Sequence, residues 1–199
     1  MRKTFALATA LLLVCCFTAI ADDKPAAKKM EMDPAMMKAM MDAATPGAAH
    51  KALDGMIGTW DTKVTSWMMP GMDPMVSTGT SENKWIMGGR YVEQRFKGDI
   101  MGMAFEGIGI TGYDNVKKQY FGTWIDSMST GMMTSVGTGG DAKTMTFKGT
   151  FADPMSGKDV TCEEKMTVID ADHTTFEMWV PGPDGKMFKT MAIEYSRKK

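Results

Sequence analysis

The stretch "GMIGTWDTKVTSWMMPGM", residues 55–72, marks a change in the structural character of the chain. From Gly58 and Trp60 onward, its first half has the threonine, valine and aromatic residues of a β-strand. Its second half consists mainly of methionine, proline and glycine, and Pro70-Gly71 is typical of a turn. The stretch therefore predicts a strand over residues 58–67, followed by a reversal of the chain.

The same alternation of strand and turn continues to the C-terminus. Short runs rich in Val, Ile, Thr, Phe, Tyr and Trp are separated by turn clusters such as "YDNVKK", "GTGGDAK" and "PGPDGK", whose residues supply the φ angles that tight reversals need. Many short strands without long helices between them predict an antiparallel meander, and closing the meander into a barrel removes its exposed edges. We therefore expect an all-β fold, a single antiparallel β-barrel of about ten strands. The segments expected as strands are 58–67, 75–80, 83–87, 90–98, 101–112, 118–126, 131–137, 143–151, 158–169, 173–180 and 186–197.

The segment "VTCEEKMTVI", residues 160–169, shows the period of two that a half-buried strand has. If its more apolar face points inward, the Glu164 carboxyl must be paired, protonated or used to hold a ligand, and Arg90 and Arg95 are candidate partners. The opposite register would leave Glu164 in solvent, and both registers remain open at this point. The face in question carries Val160, Cys162, Glu164, Met166 and Val168.

The start of the first strand, Gly58-Thr59-Trp60, resembles the Gly-X-Trp start of calycin barrels, the lipocalin-like group. This resemblance implies that Trp60 closes one end of the barrel, with Arg197 from the last strand against its ring as a cation–π pair. Four longer phrases in this order are similar to the DUF1579 family, bacterial proteins of undefined function that are grouped with calycin-like barrels. The resemblance covers roughly residues 48–197 and implies the fold, but no activity and no catalytic residues. The four phrases are "HKALDGMIGTWD" (50–61), "MGGRYVEQRFKG" (87–98), "FEGIGITGYDNVKKQYFGTWIDS" (105–127) and "GTGGDAKTMTFKG" (137–149).

The first 21 residues have the features of a secretory signal peptide. A basic start is followed by an apolar run and by small residues at the cleavage site. Anchoring as a lipoprotein at Cys16 is disfavoured, because Leu13-Val14-Cys15 lacks the small residue expected before a lipidated cysteine. We therefore expect an exported protein, periplasmic or extracellular, with a methionine-, alanine- and lysine-rich linker with a short helix at 22–46 and a barrel domain at 47–199. No other stretch has the apolar length of a membrane-spanning helix.

Composition excludes some classes of function. Removal of the signal peptide lowers the net charge from −1 to −3, because Arg2 and Lys3 leave, so nothing indicates a nucleic-acid partner. It also leaves Cys162 as the one remaining cysteine, which rules out an internal disulfide and makes an apolar core the source of stability.

The segment before the barrel is rich in methionine. Asp33-Pro34 predicts the start of a helix over 34–44, on which the methionines recur at spacings of four residues. One interpretation is a stripe that packs on the barrel mouth or on an envelope protein partner through residues 30–44, since methionine is an adaptable packing residue. The other is a thioether site for Cu(I), which favours such soft ligands. The residues of that metal hypothesis are Met36, Met37, Met40 and Met41.

The chain has no motif of an enzyme. It lacks a nucleophile elbow, zinc spacing and a cofactor fingerprint, and neither His50 nor His173 is tied to a nucleophile, so we expect a non-enzymatic protein without a cofactor. The leading hypothesis is a barrel that binds a small apolar or amphipathic molecule; the alternative is a self-filled structural barrel that docks an envelope partner. The residues expected to contact a ligand are Trp85, Tyr91, Phe105, Tyr113, Tyr120, Trp124 and Glu164.

Overall fold

Ten antiparallel strands form a closed barrel, as the sequence predicts. The structure is a computed structural model that describes residues 32–100, 102–141 and 143–199. Each strand pairs with its neighbour in sequence, and the first strand pairs with the last to close the sheet. The strands are β1 Gly58–Ser66, β2 Met75–Ile86, β3 Tyr91–Ile100, β4 Met103–Asp114, β5 Gln119–Asp126, β6 Met133–Gly140, β7 Thr144–Ala152, β8 Asp159–Val168, β9 His173–Pro181 and β10 Met187–Arg197.

The predicted segments 75–80 and 83–87 are one strand, β2, and the predicted break between them is wrong. The predicted break falls at the polar residues Ser81 and Glu82, but Ser81 is fully buried inside the barrel. Its hydroxyl donates to Asn83 Oδ1 at 2.8 Å and accepts from Gln94 Nε2 at 2.9 Å. A buried polar residue is tolerated in a strand when it has such partners.

One end of the barrel, here called the capped end, is covered by short helical segments. These are α2, Ala48–Lys51, and a 3₁₀ turn, Asp54–Met56, which precede β1. Leu53 is fully buried between them. The cap adds Leu53 and Met56 to a core cluster with three residues of the barrel wall, which are Val92, Met145 and Phe147. Apolar contact between cap and wall therefore closes this end.

Helix α1, Pro34–Ala44, has the predicted boundaries but buries none of its residues. The hypothesis that its methionine stripe packs on the barrel is therefore wrong. The helix is held instead at its C-terminal end by the β4–β5 turn, where Asn115 Nδ2 donates to the carbonyls of Asp42, Ala43 and Thr45 at 2.8–3.2 Å. Carbonyls at the C-terminal end of a helix have no amide donor from a following turn, and here the Asn115 side chain donates to them instead.

We expect Asn115→Ala to loosen α1 while leaving the barrel intact. A free helix of eleven residues is marginal in water, and the substitution removes the donor to two of its terminal carbonyls and to that of Thr45 just beyond it. Hydrogen exchange of the α1 amides should become about tenfold faster, the factor that corresponds to roughly 1.4 kcal/mol. The control is Val116→Ala at the exposed neighbouring position, which should leave exchange unchanged. Equal α1 exchange in both variants would contradict the tether.

Several predictions concern residues outside the described ranges. The signal peptide over 1–21, the front of the linker and Met30 belong to this group. Within the described ranges, no helix has the length and apolar character needed to cross a bilayer.

Candidate ligand-binding site

The interior of the barrel contains a cavity of about 100 Å³. Its wall is formed by inward-facing side chains of nine strands, because alternate residues of each strand point to the same face. The apolar part of the wall comprises Met56, Trp60, Phe147, Met166 and Phe176, and the polar part comprises Asn83, Gln94, Thr111, Ser135, Glu164, Thr174 and Tyr195. The cavity is therefore mixed in character, with aromatic rings beside uncharged polar groups and one carboxyl.

Glu164 on β8 is the acidic group of this wall, with only 7% of its surface exposed. Its Oε1 atom accepts a hydrogen bond from the Ser135 hydroxyl at 3.0 Å and a weaker one from the Cys162 thiol at 3.6 Å. Burial raises the pKa of Glu164 above its ordinary value, and the hydrogen bonds from Ser135 and Cys162 oppose this effect in part. The inward register places a carboxyl in a low-dielectric space, where its neutral form is favoured.

The predicted arginine partners of Glu164 lie elsewhere. Arg95 forms an ion pair with Glu93 on the outer face of β3, with Nε 2.7 Å from Oε1, and Arg90 donates to the Met87 carbonyl in the β2–β3 turn. The prediction of an arginine partner is therefore wrong, because the alternation of β3 directs residues 91, 93 and 95 outward. Cys162 is fully buried beside Glu164. Burial and the neighbouring Glu164 carboxyl raise its pKa to about 12.

A second polar group lies across the barrel from Glu164, on β2, β3 and β10. Gln94 Nε2 donates to Ser81 Oγ and, at 3.4 Å, to the Tyr195 hydroxyl, while Asn83 Nδ2 donates to the Met56 carbonyl. Both side-chain amide nitrogens, Asn83 Nδ2 and Gln94 Nε2, therefore donate to acceptors of the protein itself. Within the described part of the chain, no donor reaches Gln94 Oε1, and Glu164 Oε2 likewise accepts no hydrogen bond.

Two buried hydroxyls have no partner among the described residues, Thr62 Oγ1 and Thr174 Oγ1. They flank Tyr195 in one cross-strand row, since Thr62 and Thr174 are the register partners of Tyr195 on β1 and β9. Thr174 is 5% exposed and lines the cavity. A buried polar atom without a partner is costly and rare in folded proteins, so the Thr174 hydroxyl indicates a place where another molecule can bind.

Comparison with known proteins identifies the family. A family model described as "Protein of unknown function (DUF1579)" matches residues 45–197. The chain belongs to the DUF1579 family. This match confirms the resemblance found in the four sequence phrases and adds no activity to it. Among curated proteins, none matches this DUF1579 chain in sequence.

Three solved structures are among those similar to the DUF1579 barrel. Rv2717c from M. tuberculosis shares 12% sequence identity at a TM-score of 0.58, with 78% of this chain and all of the other covered. A redesigned β-barrel, b11L5F_LGL, shares 15% identity at a TM-score of 0.42, covering 74% and 96% of the two chains. A structure of EF1p2_mFAP2b bound to DFHBI shares 13% identity at a TM-score of 0.39, covering 75% and 98%. At these identities, the likeness to Rv2717c concerns the fold alone.

The six aromatic residues predicted to contact a ligand lie around this cavity rather than in its wall. Trp85, Tyr113 and Tyr120 belong to the capped end, where Trp85 Nε1 donates to Asp54 Oδ1 and the Tyr120 hydroxyl donates to the Ala49 carbonyl. Tyr91 packs edge-on against Phe121 on the outer face of the barrel. The remaining two, Phe105 and Trp124, lie inside the barrel nearer the opposite end, where Trp124 covers the glycines at 107 and 109.

Trp60 and Arg197 meet at the capped end of the DUF1579 barrel. Arg197 Cζ lies 4.1 Å from the centroid of the Trp60 ring, and the two residues are register partners on β1 and β10. Trp60 Nε1 donates to the Met56 carbonyl at 3.0 Å, and Arg197 donates to the carbonyls of Ile57 and Ala171 at 2.7 Å. The pair joins the cap, the first strand and the last strand, and the inner side of Trp60 contributes to the cavity wall.

Neither histidine reaches the cavity. His50 is buried in the cap, where its Nδ1 accepts from the Gly47 amide at 3.0 Å and its ring packs edge-on against Tyr113. His173 is exposed at the start of β9, with Nδ1 2.9 Å from Asp170 Oδ1 in the preceding turn. Across residues 32–100, 102–141 and 143–199, no group of three or more His, Cys, Asp or Glu residues could hold a metal ion.

Sequence reasoning missed most of the polar wall, including Asn83, Gln94, Ser135, Thr174 and Tyr195. The sequence did contain a signal for Asn83, namely its spacing of two residues from Trp85, which places both side chains on the same face of β2. The register then follows across the sheet, since Asn83 pairs with Gln94 and Tyr195 pairs with Thr174. These pairings join residues far apart in sequence, and no single segment contains them.

We expect Glu164→Gln to change how the stability of the barrel depends on pH. The raised pKa means that the folded state binds the Glu164 proton more tightly than the unfolded state does. The stability contributed by this proton is complete below the ordinary value of 4.5 and is lost as the pH rises through the raised pKa. Glutamine keeps the acceptor for Ser135 and carries no charge at any pH.

The melting temperature of Glu164→Gln should therefore rise relative to that of the unsubstituted protein as the pH increases above 4.5. The exposed carboxyls are common to both proteins, so their titration cancels in the difference. Parallel melting curves across this pH range would show that burial of Glu164 has no energetic consequence.

Proposed function

We propose that this DUF1579 protein is an exported binding protein whose barrel cavity holds a small amphipathic molecule. The observation that carries the proposal is the Thr174 hydroxyl, which is buried, lines the cavity and lacks a protein partner. Glu164 Oε2 supplies a second polar atom without a protein hydrogen bond. Aromatic rings of Trp60, Phe147 and Phe176 supply apolar contact on the same cavity. Convergent polar groups within an aromatic cavity are typical of small-molecule sites.

The volume of the cavity limits the size of the ligand. Sites for drug-sized molecules occupy roughly 300–1,000 Å³, whereas a cavity of about 150 Å³ binds benzene. The cavity of about 100 Å³ therefore suits a molecule somewhat smaller than benzene, of about four or five heavy atoms. A larger ligand would require the side chains of Met56 and Met166 to move, which flexible thioether side chains permit.

The proposal assigns binding rather than catalysis to this cavity. The one thiol near it, Cys162, has a pKa raised to about 12 and is therefore protonated at neutral pH, whereas a thiolate is the reactive form. Both histidines lie away from the cavity, so neither serves the wall as a general base.

Fluorescence of Trp60 provides the test of ligand binding. We expect a panel of small amines, alcohols and aromatics of four to six heavy atoms to shift the emission of the folded protein, because Trp60 lines the cavity. Thr174→Val removes the unpartnered hydroxyl without changing the side-chain size and should weaken binding about 3–10-fold. The emission of Trp60→Phe measures the contribution of the other tryptophans, which is subtracted from the signal. A panel that leaves the spectrum of the folded barrel unchanged would refute the cavity as a ligand site.

Export is the second part of the proposal. It is supported by the charged start, the apolar run and the small residues Ala19 and Ala21. Expression of the full chain in a bacterium and mass measurement of the exported protein should give a polypeptide that starts at Asp22. Recovery of the uncleaved chain from the cytoplasmic fraction would contradict it.

The exposed methionines of α1 favour a second candidate function, Cu(I) binding. Met36, Met37, Met40 and Met41 are 47–62% exposed and adjacent on the helix at spacings of one, three and four residues. Thioethers are soft ligands that select Cu(I). Substituting all four by leucine should abolish Cu(I) retention under reducing conditions. The matched control replaces Met68, Met69 and Met72 in the β1–β2 loop, and loss of copper in that control alone would overturn the assignment to α1.

The same exposed face supports the interaction alternative, in which α1 docks an envelope partner and the barrel is a scaffold. Deletion of residues 22–46 distinguishes the two roles. Loss of a co-purified envelope protein with unchanged ligand binding by the barrel would support docking. Unchanged partner recovery would remove it.

A further inference from the structure

We infer that the polar group of the cavity ligand is a protonated amine. The cavity wall contains one carboxyl, Glu164, and none of its lining residues is Lys, Arg or His. The two arginines predicted as partners of Glu164, Arg90 and Arg95, are engaged outside the barrel. The inference rests on the proposed function, and it specifies the chemical class of the ligand.

Hydrogen-bond acceptors of the cavity match an alkylammonium group. An ammonium group of a primary amine has three N–H donors and no acceptor. The cavity offers several side-chain oxygens to which no described residue donates, among them Glu164 Oε2 and Thr174 Oγ1. Gln94 is oriented with its nitrogen toward Ser81 and Tyr195, which turns its oxygen away from those two partners. A cation bound at Glu164 would therefore pair with a carboxyl oxygen that the protein leaves without a donor.

The aromatic wall favours a cation as well. Trp60, Phe147, Phe176 and Tyr195 line the same cavity as Glu164. Aromatic faces attract ammonium groups, and the attraction is stronger in a desolvated site. A carboxylate ligand would meet the opposite situation, since a second acid beside Glu164 could ionise only at a high electrostatic cost. The charge of the wall thus discriminates between ligands of similar size and shape.

Binding of the amine is coupled to release of a proton. The titratable groups on the cavity wall are Glu164 and Tyr195, and Cys162 touches Glu164; burial raises the pKa of all three. In the empty cavity, Glu164 therefore favours its neutral form. When an ammonium ion enters, the Glu164 proton leaves to solvent and a carboxylate–ammonium pair remains, so the charge of the cavity is unchanged. Affinity should accordingly increase as the pH rises through the pKa of Glu164 in the empty cavity and level off above it.

The test compares three probes of nearly equal size, n-butylamine, n-butanol and butyrate, with the full-length exported protein at pH 7. Calorimetry should show butylamine binding about tenfold more tightly than butanol, because charge-assisted hydrogen bonds are about twice as strong as neutral ones. Butyrate should bind most weakly. Titration in two buffers of different ionisation enthalpy should report up to one proton released for each butylamine bound.

Two variants keep the inference falsifiable. Glu164→Gln should remove the preference for butylamine over butanol while retaining butanol binding, which shows that the barrel is folded. Glu163→Gln removes an exposed carboxyl from the outer face of the same strand and should keep the preference. Equal or tighter binding of butanol overturns the amine inference and leaves the proposed cavity function standing. Failure of all three probes overturns the amine inference, and the wider fluorescence panel then decides the proposed function by itself.

Discussion

Trp60→Ala is expected to lower the free energy of unfolding by about 3–5 kcal/mol, the usual cost of truncating a buried tryptophan to alanine. Trp60 is 1% exposed, so the substitution leaves a large cavity at the capped end. It also removes the ring beneath the Arg197 guanidinium and the edge-on contact with Tyr195. In a chain of this size, the melting temperature should fall by roughly 6–20 °C.

Two milder variants separate the contributions at this site. Trp60→Phe keeps an aromatic ring and loses the N–H donor to Met56, so about 1–2 kcal/mol should be lost. Arg197→Met keeps much of the aliphatic stem and removes the cation, together with the bonds to Ile57 and Ala171. Thermal melting followed by circular dichroism measures all three variants. A Trp60→Ala protein that melts with the unsubstituted chain would show that the barrel end closes without this pair.

Gly149→Ala is the second substitution expected to have a large effect, about 1–3 kcal/mol of destabilisation from overpacking. A Cβ atom at this buried position of β7 would lie 2.5 Å from Cys162 Sγ and 2.7 Å from Glu164 Oε1. Both atoms are held inside the barrel, so the added methyl group must displace them. We therefore expect a lower melting temperature and weaker binding of any ligand that contacts Glu164.

The control for this effect is Gly139→Ala on the neighbouring strand β6. A Cβ atom there would meet only Thr146 Oγ1, at an ordinary distance of 3.6 Å, so stability should change by less than about 0.5 kcal/mol. Cys162→Ala in the Gly149→Ala background removes one of the two clashing atoms and should recover part of the loss. Equal melting of the Gly149→Ala and Gly139→Ala proteins would contradict the close packing of Glu164 and Cys162.

The role of the methionines differs between the prediction from composition and the structure. A chain with 24 methionines suggested adaptable packing residues, yet few of those in the described ranges are buried. Met56 and Met145 belong to the core, whereas α1 and the loops carry exposed ones. A count of residue types does not say on which side of a strand or helix each one lies. The exposed methionines are Met32, Met36, Met37, Met40, Met41, Met68, Met69, Met72, Met87, Met103, Met128, Met132, Met155 and Met187.

Local sequence was enough to predict the barrel and the helix before it. Turn chemistry is contained within four to six residues, and the period of two in segments such as 160–169 is visible without any partner strand. The same local signals placed α1 at residues 34–44. The segment 75–87 shows the limit of this reasoning, because Ser81 reads as a turn residue until its partners Asn83 and Gln94 are known.

The candidate site was decided by tertiary structure. From the sequence alone, Glu164 could face solvent or the interior, because a shift of one residue exchanges the two faces of a strand. Closure of β1 on β10 and the pairing of β8 with β7 and β9 turn Glu164 inward. They also bring together Gln94, Thr174 and Tyr195, which lie up to about a hundred residues apart in the chain. Sequence patterns report which residues share a face, whereas the enclosed space and its polar atoms exist only once the sheet has closed.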